Sequence, residues 1–199
     1  METKMVRTIV ITAVLSALSI VFAVTSLGYI PWFGGISITI MHIPVIVAAI
    51  LEGPIAGTIV GLVFGLTSLL KAASAPTGPV DLLFVNPLVS VLPRLFIGVV
   101  AWLIFTAFNG KIKPLAVACS AFFGTATNTI LVLTMLGLTS AIRLAEVIGI
   151  NVNAVPKTLI GIAWANGVPE AIGSIVITLA VVFGYWGITK GKAKIAKEE

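Results

Sequence analysis

Long apolar blocks and sparse charge set the pattern of this chain. No Asp, Glu, Lys or Arg occurs between Arg7 and Glu52, and further charge-free runs cover 53–70, 95–110, 114–142 and 171–189. A helix crossing the hydrocarbon core needs about 20 mostly apolar residues. The pattern therefore predicts six spans, over 8–27, 38–52, 54–72, 83–108, 114–137 and 165–188, the second short and carrying Pro44. Segments rich in Gly, Pro and polar residues separate them. Residues 28–38 read as a loop with Tyr29 and Trp32 at headgroup level, 73–82 as a second loop, and 138–160 as a longer polar segment with room for a short interfacial helix. Glu52-Gly53-Pro54 and Asn109-Gly110 read as tight turns.

Composition excludes other classes. With 59% hydrophobic and 10% charged residues and a mean hydropathy of +1.18, the chain is neither a water-soluble globular protein nor a disordered one. Its 199 residues leave no room for a separate soluble catalytic domain. The expected fold is a single all-α transmembrane domain over 1–199, a polytopic membrane protein of six transmembrane helices. The first apolar stretch, longer than a usual signal-peptide core, reads as a retained span.

The net charge of +5 fits a membrane orientation signal better than a nucleic-acid surface. Basic residues concentrate in cytoplasmic loops and tails. With both termini cytoplasmic, Lys4, Arg7, Lys111, Lys113, Lys190, Lys192, Lys194 and Lys197 lie inside, and Lys71, Arg143 and Lys157 outside. Only Arg94 falls within a span. The distribution predicts an even number of spans in a multi-pass protein of the cell membrane, with both ends in the cytoplasm.

Several kinds of chemistry are missing. No Gly-x-x-x-x-Gly-Lys-Ser/Thr loop is present, His42 is the sole histidine, and the lone Cys119 sits in an apolar stretch. The sequence thus points to no nucleotide site, no His-based metal site and no cofactor, and no nucleophile has an evident base. The expectation is a protein that is not an enzyme.

Polar groups inside spans are costly and mark sites. Asn86, Ser90 and Arg94 are spaced by four on span four, between Pro87 and Pro93; Asn128 lies on span five between two threonines; Asn166 and Glu170 are spaced by four on span six. Three spans thus direct amides and charges toward a small pocket. Arg94 either pairs with Glu170 or receives a ligand carboxylate through paired donors. The asparagines serve as ligand contacts or as interhelical glue. His42, with Thr39 on its face of span two, is a further candidate beside a structural role. Trp32 and Trp164 serve as interfacial anchors or as walls of the pocket. Gly57, Gly61 and Gly65 form a small-residue stripe on span three, and Ala13 and Ala17 form a small-xxx-small pair on span one.

In order and spacing these segments resemble the substrate-binding S component of energy-coupling factor (ECF) vitamin transporters. The resemblance is carried by Ala13-x-x-x-Ala17, by His42-Ile43-Pro44-Val45-Ile46-Val47 with Leu51-Glu52-Gly53-Pro54, and by the run from Phe84 to Arg94 that looks like the fourth helix of the pantothenate-type branch. It implies high-affinity vitamin binding near the outer surface, under the loop after the first helix. It implies association through the small residues of helix one with a membrane coupling protein, itself driven by two cytoplasmic ATPases. The implied ligand contacts come from the first loop and helices four to six. An arginine with several amides suits a small polar acid such as pantothenate; riboflavin, folate and a biotin-like acid stay open. So do a self-contained small transporter and a ligand-free scaffold.

Overall fold

The structure, a computed structural model, describes residues 2–25, 27–31, 37–108 and 112–195. Seven α-helices are present among them: α1 (Glu2–Val24), α2 (Ile43–Glu52), α3 (Pro54–Ser74), α4 (Pro87–Ser90), α5 (Leu92–Phe108), α6 (Lys113–Ile148) and α7 (Val155–Ile195). Short 3-10 turns occupy Asp81–Val85 and Val152–Ala154. A hairpin of β1 (Tyr29–Pro31) and β2 (Ser37–Thr39) joins α1 to α2, with Tyr29 opposite Thr39. The all-α expectation holds apart from this ribbon. Among the described residues, five helical stretches are long and apolar enough to cross a membrane.

The second expected span, 38–52, is not among these five. Helix α2 has ten residues, about 15 Å of rise, half the thickness of a hydrocarbon core of about 30 Å. It is buried along its whole length from Ile43 to Ile50, with α1, α3, α5, α6 and α7 all packed around it. A helix that is apolar on every side belongs at the centre of a bundle. Gly53 reverses the chain after it with φ at 97°, a conformation that favours glycine, and Pro54 opens α3.

Span four is interrupted. Pro87 and Pro93 lack the N–H that a continuous helix would use, so the segment divides into the turn at Asp81–Val85, α4 and α5. The segment 138–160 is corrected in the other direction. Helix α6 continues to Ile148 past a non-helical residue at Ser140 (φ −141°), and α7 begins at Val155. Leu144, Ala145 and Val155 are buried with Leu83, Val89, Val132 and Leu136 in a second apolar cluster, which holds this polar-looking stretch in helical form.

The glycine stripe of α3 lies against α5. A Cβ on Gly57 would stand 2.9 Å from the Cα of Gly98, and one on Gly65 would stand 2.8 Å from the Cα of Val91. This backbone-to-backbone contact brings the start of α5, and with it Arg94, against the middle of α3.

Candidate binding cavity

A cavity of about 500 Å³ opens against the apolar cluster that holds Val132, Leu136 and Leu144, within the range of small-molecule sites. Its wall draws Thr39 from β2, Phe64, Ser68 and Lys71 from α3, and Thr77 to Asp81 with Phe84 from the following connection. Arg94 comes from α5, Asn128, Thr129 and Val132 from α6, and Asn166 and Glu170 from α7. The remaining surface is largely aliphatic, with Leu133, Leu136, Leu144 and Ile162.

Arg94 is placed by the proline before it. In a continuous helix the Val89 carbonyl would accept from the N–H of residue 93; Pro93 has none. Arg94 Nη1 donates to that carbonyl instead, at 2.5 Å. The guanidinium lies over Phe64 at 5.1 Å and Phe84 at 5.7 Å from the ring centroids, an arrangement worth more in a desolvated setting than at a surface. Arg94 is 5% exposed.

Glu170 ties three elements together. Its Oε1 accepts from the Thr39 N–H at 2.7 Å and the Thr39 hydroxyl at 3.1 Å, and its Oε2 accepts from the Thr129 hydroxyl at 3.4 Å. The hairpin is thereby fastened to α7 at the cavity wall, and Glu170 lies within electrostatic reach of Arg94. Hydrogen bonds to a charged group contribute about 1.5–3 kcal/mol. In Glu170→Ala, hydrogen exchange at residues 37–40 is therefore expected to quicken about tenfold or more, with α5 unchanged. Equal exchange in the two proteins would show that the tie does not hold the hairpin.

Of the residues singled out in the sequence, Arg94, Asn128, Asn166 and Glu170 share this cavity. The Asn128 Oδ1 is buried without a hydrogen-bond partner among the described residues. Asn86 and Ser90 have local duties: Asn86 Oδ1 caps α4 by accepting from the Leu88 N–H at 3.0 Å, and the Ser90 hydroxyl donates to the Asn86 carbonyl at 3.1 Å. His42 is fully buried at the start of α2 and does not line the cavity. Trp164 faces outward, 72% exposed. Trp32 and the Asn109-Gly110 turn lie outside the described residues. Ala13 and Ala17 are exposed on α1.

The cavity also holds groups that the span pattern passed over. Lys71 and Asp81 line it, within electrostatic reach of each other. Asp81 closes the connection by accepting from the Thr77 N–H at 2.8 Å and its hydroxyl at 2.5 Å. The polar lining thus carries two cations, two carboxylates and several amides and hydroxyls beside an aliphatic wall. The chemistry of such a lining is complementary to a small polar molecule with an apolar portion.

A bundle of membrane-length helices around a cavity lined by charged, amide and hydroxyl groups beside an aliphatic wall is the architecture of a membrane protein for a small solute. The chain matches, over residues 7–182, the family described as ECF transporter, substrate-specific component, and it belongs to that family. It is 30% identical over 158 residues to the pantothenic acid transporter PanT of Lactococcus lactis subsp. cremoris, covering 72% of this chain and 75% of that one. It is also 30% identical over 165 residues to the pantothenate transporter PanT of Leuconostoc mesenteroides, covering 78% and 79%. The protein is accordingly a multi-pass membrane component of a transporter that supplies substrate specificity, and not an enzyme.

Proposed function

We propose that this protein binds pantothenate and delivers it across the membrane in association with an ECF coupling protein and two cytoplasmic ATPases. One observation carries the ligand reading: Arg94, Asn128, Asn166 and Glu170 converge from three helices on one cavity with an aliphatic wall. Pantothenate offers one carboxylate, an amide, hydroxyls and a compact branched alkyl group, which match donors, acceptors and apolar surface in that lining. The names of the two relatives support the same ligand. The excess of basic residues in the tails and around residues 111–113 supports cytoplasmic termini, which put the hairpin and the cavity at the outer side. The test is thermal stabilisation of the purified protein across a vitamin panel. Pantothenate is expected to raise the melting temperature; a shift with riboflavin, folate or biotin alone would assign a different cargo.

In the same reading, α1 is the docking helix for the coupling protein, with Ala13 and Ala17 on its exposed side. Small residues let another backbone approach closely in lipid. Ala13→Trp and Ala17→Trp are expected to lower co-purification with the coupling protein about tenfold while pantothenate affinity stays at the wild-type value. Parallel loss of both in a folded protein would remove α1 from this role.

A further inference from the structure

Helix α1 meets the bundle through a narrow face. Thr12, Ser19 and Ala23 are buried, whereas Ile9, Val10, Val14 and Val21 are exposed. In lipid no hydrophobic force presses such a helix onto its neighbours, so its tilt depends on a few fixed points. At the hairpin end, Gly28 supplies them: its N–H donates to the Phe22 carbonyl and its carbonyl accepts from the Ile40 N–H, both at 3.1 Å. At the opposite end the fixed point is Glu52, the last residue of α2. Arg7 Nε donates to Glu52 Oε1 at 2.9 Å and Nη2 forms an ion pair with the same oxygen at 2.8 Å, and the Thr8 hydroxyl donates to Oε2 at 2.7 Å. The same guanidinium lies 5.6 Å from the ring centroid of Tyr185 on α7. The Glu52 side chain is 7% exposed. Sheltered in this way, its charge depends on α1 for both oxygens. One carboxylate thus joins α1 to the α2–α3 turn, and through Arg7 to α7.

We propose that Glu52 is a positioning residue for partner docking: with Arg7 and Thr8 it pins the N-terminal end of α1, so that the Ala13–Ala17 side is held at one angle toward the coupling protein. This deepens the S-component reading above and rests on it. Glu52 does not line the cavity, so partner docking and ligand binding separate in its variants.

The experiment uses the full chain, alone and co-expressed with the coupling protein and both ATPases. Glu52→Gln and Arg7→Ala are compared with wild type and with the charge-swapped pair Arg7→Glu plus Glu52→Arg. Pantothenate affinity of the isolated protein reports folding, and co-purification reports docking. Each single variant is expected to dock about tenfold more weakly with ligand affinity within about twofold of wild type, and the swapped pair is expected to regain docking. Arg7 is half exposed, so Arg7→Ala keeps the test open where Glu52→Gln does not fold. Wild-type docking in Arg7→Ala or in folded Glu52→Gln would overturn the proposal, as would docking and affinity falling together by one factor. A wild-type protein that binds pantothenate yet never docks refutes the S-component reading, and the positioning role with it. That failure is distinct from one in which wild type docks and the variants dock equally well.

Discussion

Gly61→Leu is expected to abolish the folded bundle. A Cβ on Gly61 would fall inside the van der Waals shell of the Arg94 carbonyl oxygen, and one on its neighbour along the stripe, Gly57, would stand 2.7 Å from the Ala49 Cβ and 2.9 Å from the Gly98 Cα. Inserting extra methylenes into a well-packed core, where side chains can shift, costs about 1–3 kcal/mol. Here the obstruction is backbone, which cannot turn aside as a side chain can, and the cost exceeds that range. The two helices would have to separate, withdrawing Arg94 from Phe64 and from the cavity. Gly184→Leu is the control: Gly184 has nothing within 4 Å of an added Cβ and faces outward. Detergent-solubilised Gly184→Leu should melt with wild type, while Gly61→Leu should aggregate or lose its transition. A Gly61→Leu protein with wild-type melting and pantothenate affinity would refute the close α3–α5 contact.

Arg94→Ala is expected to carry the largest loss of affinity among variants that stay folded. Truncating one partner of a buried charged interaction costs about 2–5 kcal/mol, or roughly thirty-fold or more in Kd. Arg94→Lys should recover little, because a lysine ammonium cannot both hold the Val89 carbonyl and present a planar pair of donors to a carboxylate. Trp164→Ala, on the outward side of α7, should bind as wild type. Calorimetry on the three variants checks this; equal affinity of Arg94→Ala and wild type would move the carboxylate elsewhere in the cavity.

Much of the bundle was legible because each long charge-free run has room for most or all of a spanning helix, and lipid tolerates few in-span polar groups. That logic found Arg94, Asn128, Asn166 and Glu170. It failed where local and tertiary terms compete. Asn86 and Ser90 share the spacing of Arg94, yet the prolines break that helix, and both residues attend to its ends. Trp164 is two positions from Asn166, about 200° around a helix, so periodicity alone places the two on opposite sides. The helix through 141–148 carried a signal too: Ala141, Leu144, Ala145 and Ile148 recur at helical spacing beneath their polar neighbours. Lys71, Asp81, Thr39 and Thr129 were hidden for another reason. They stand at span ends, in a connection or beside more conspicuous residues, and only the folded chain brings them to one wall.

The same holds for the charges counted as orientation signals. Arg7 and Glu52 lie 45 positions apart, and no spacing rule joins them. Their pairing needs α1 and α3 to lie side by side in the same direction, which follows from the hairpin reversing the chain after α1 and Gly53 reversing it again after α2.

Titration calorimetry of the purified full chain with pantothenate tests the central claim most directly. This account expects one saturable site with a dissociation constant in the nanomolar range, weakened roughly thirty-fold or more in Arg94→Ala and retained in Trp164→Ala. No heat with pantothenate, alongside tight binding of another vitamin to the same preparation, would contradict it.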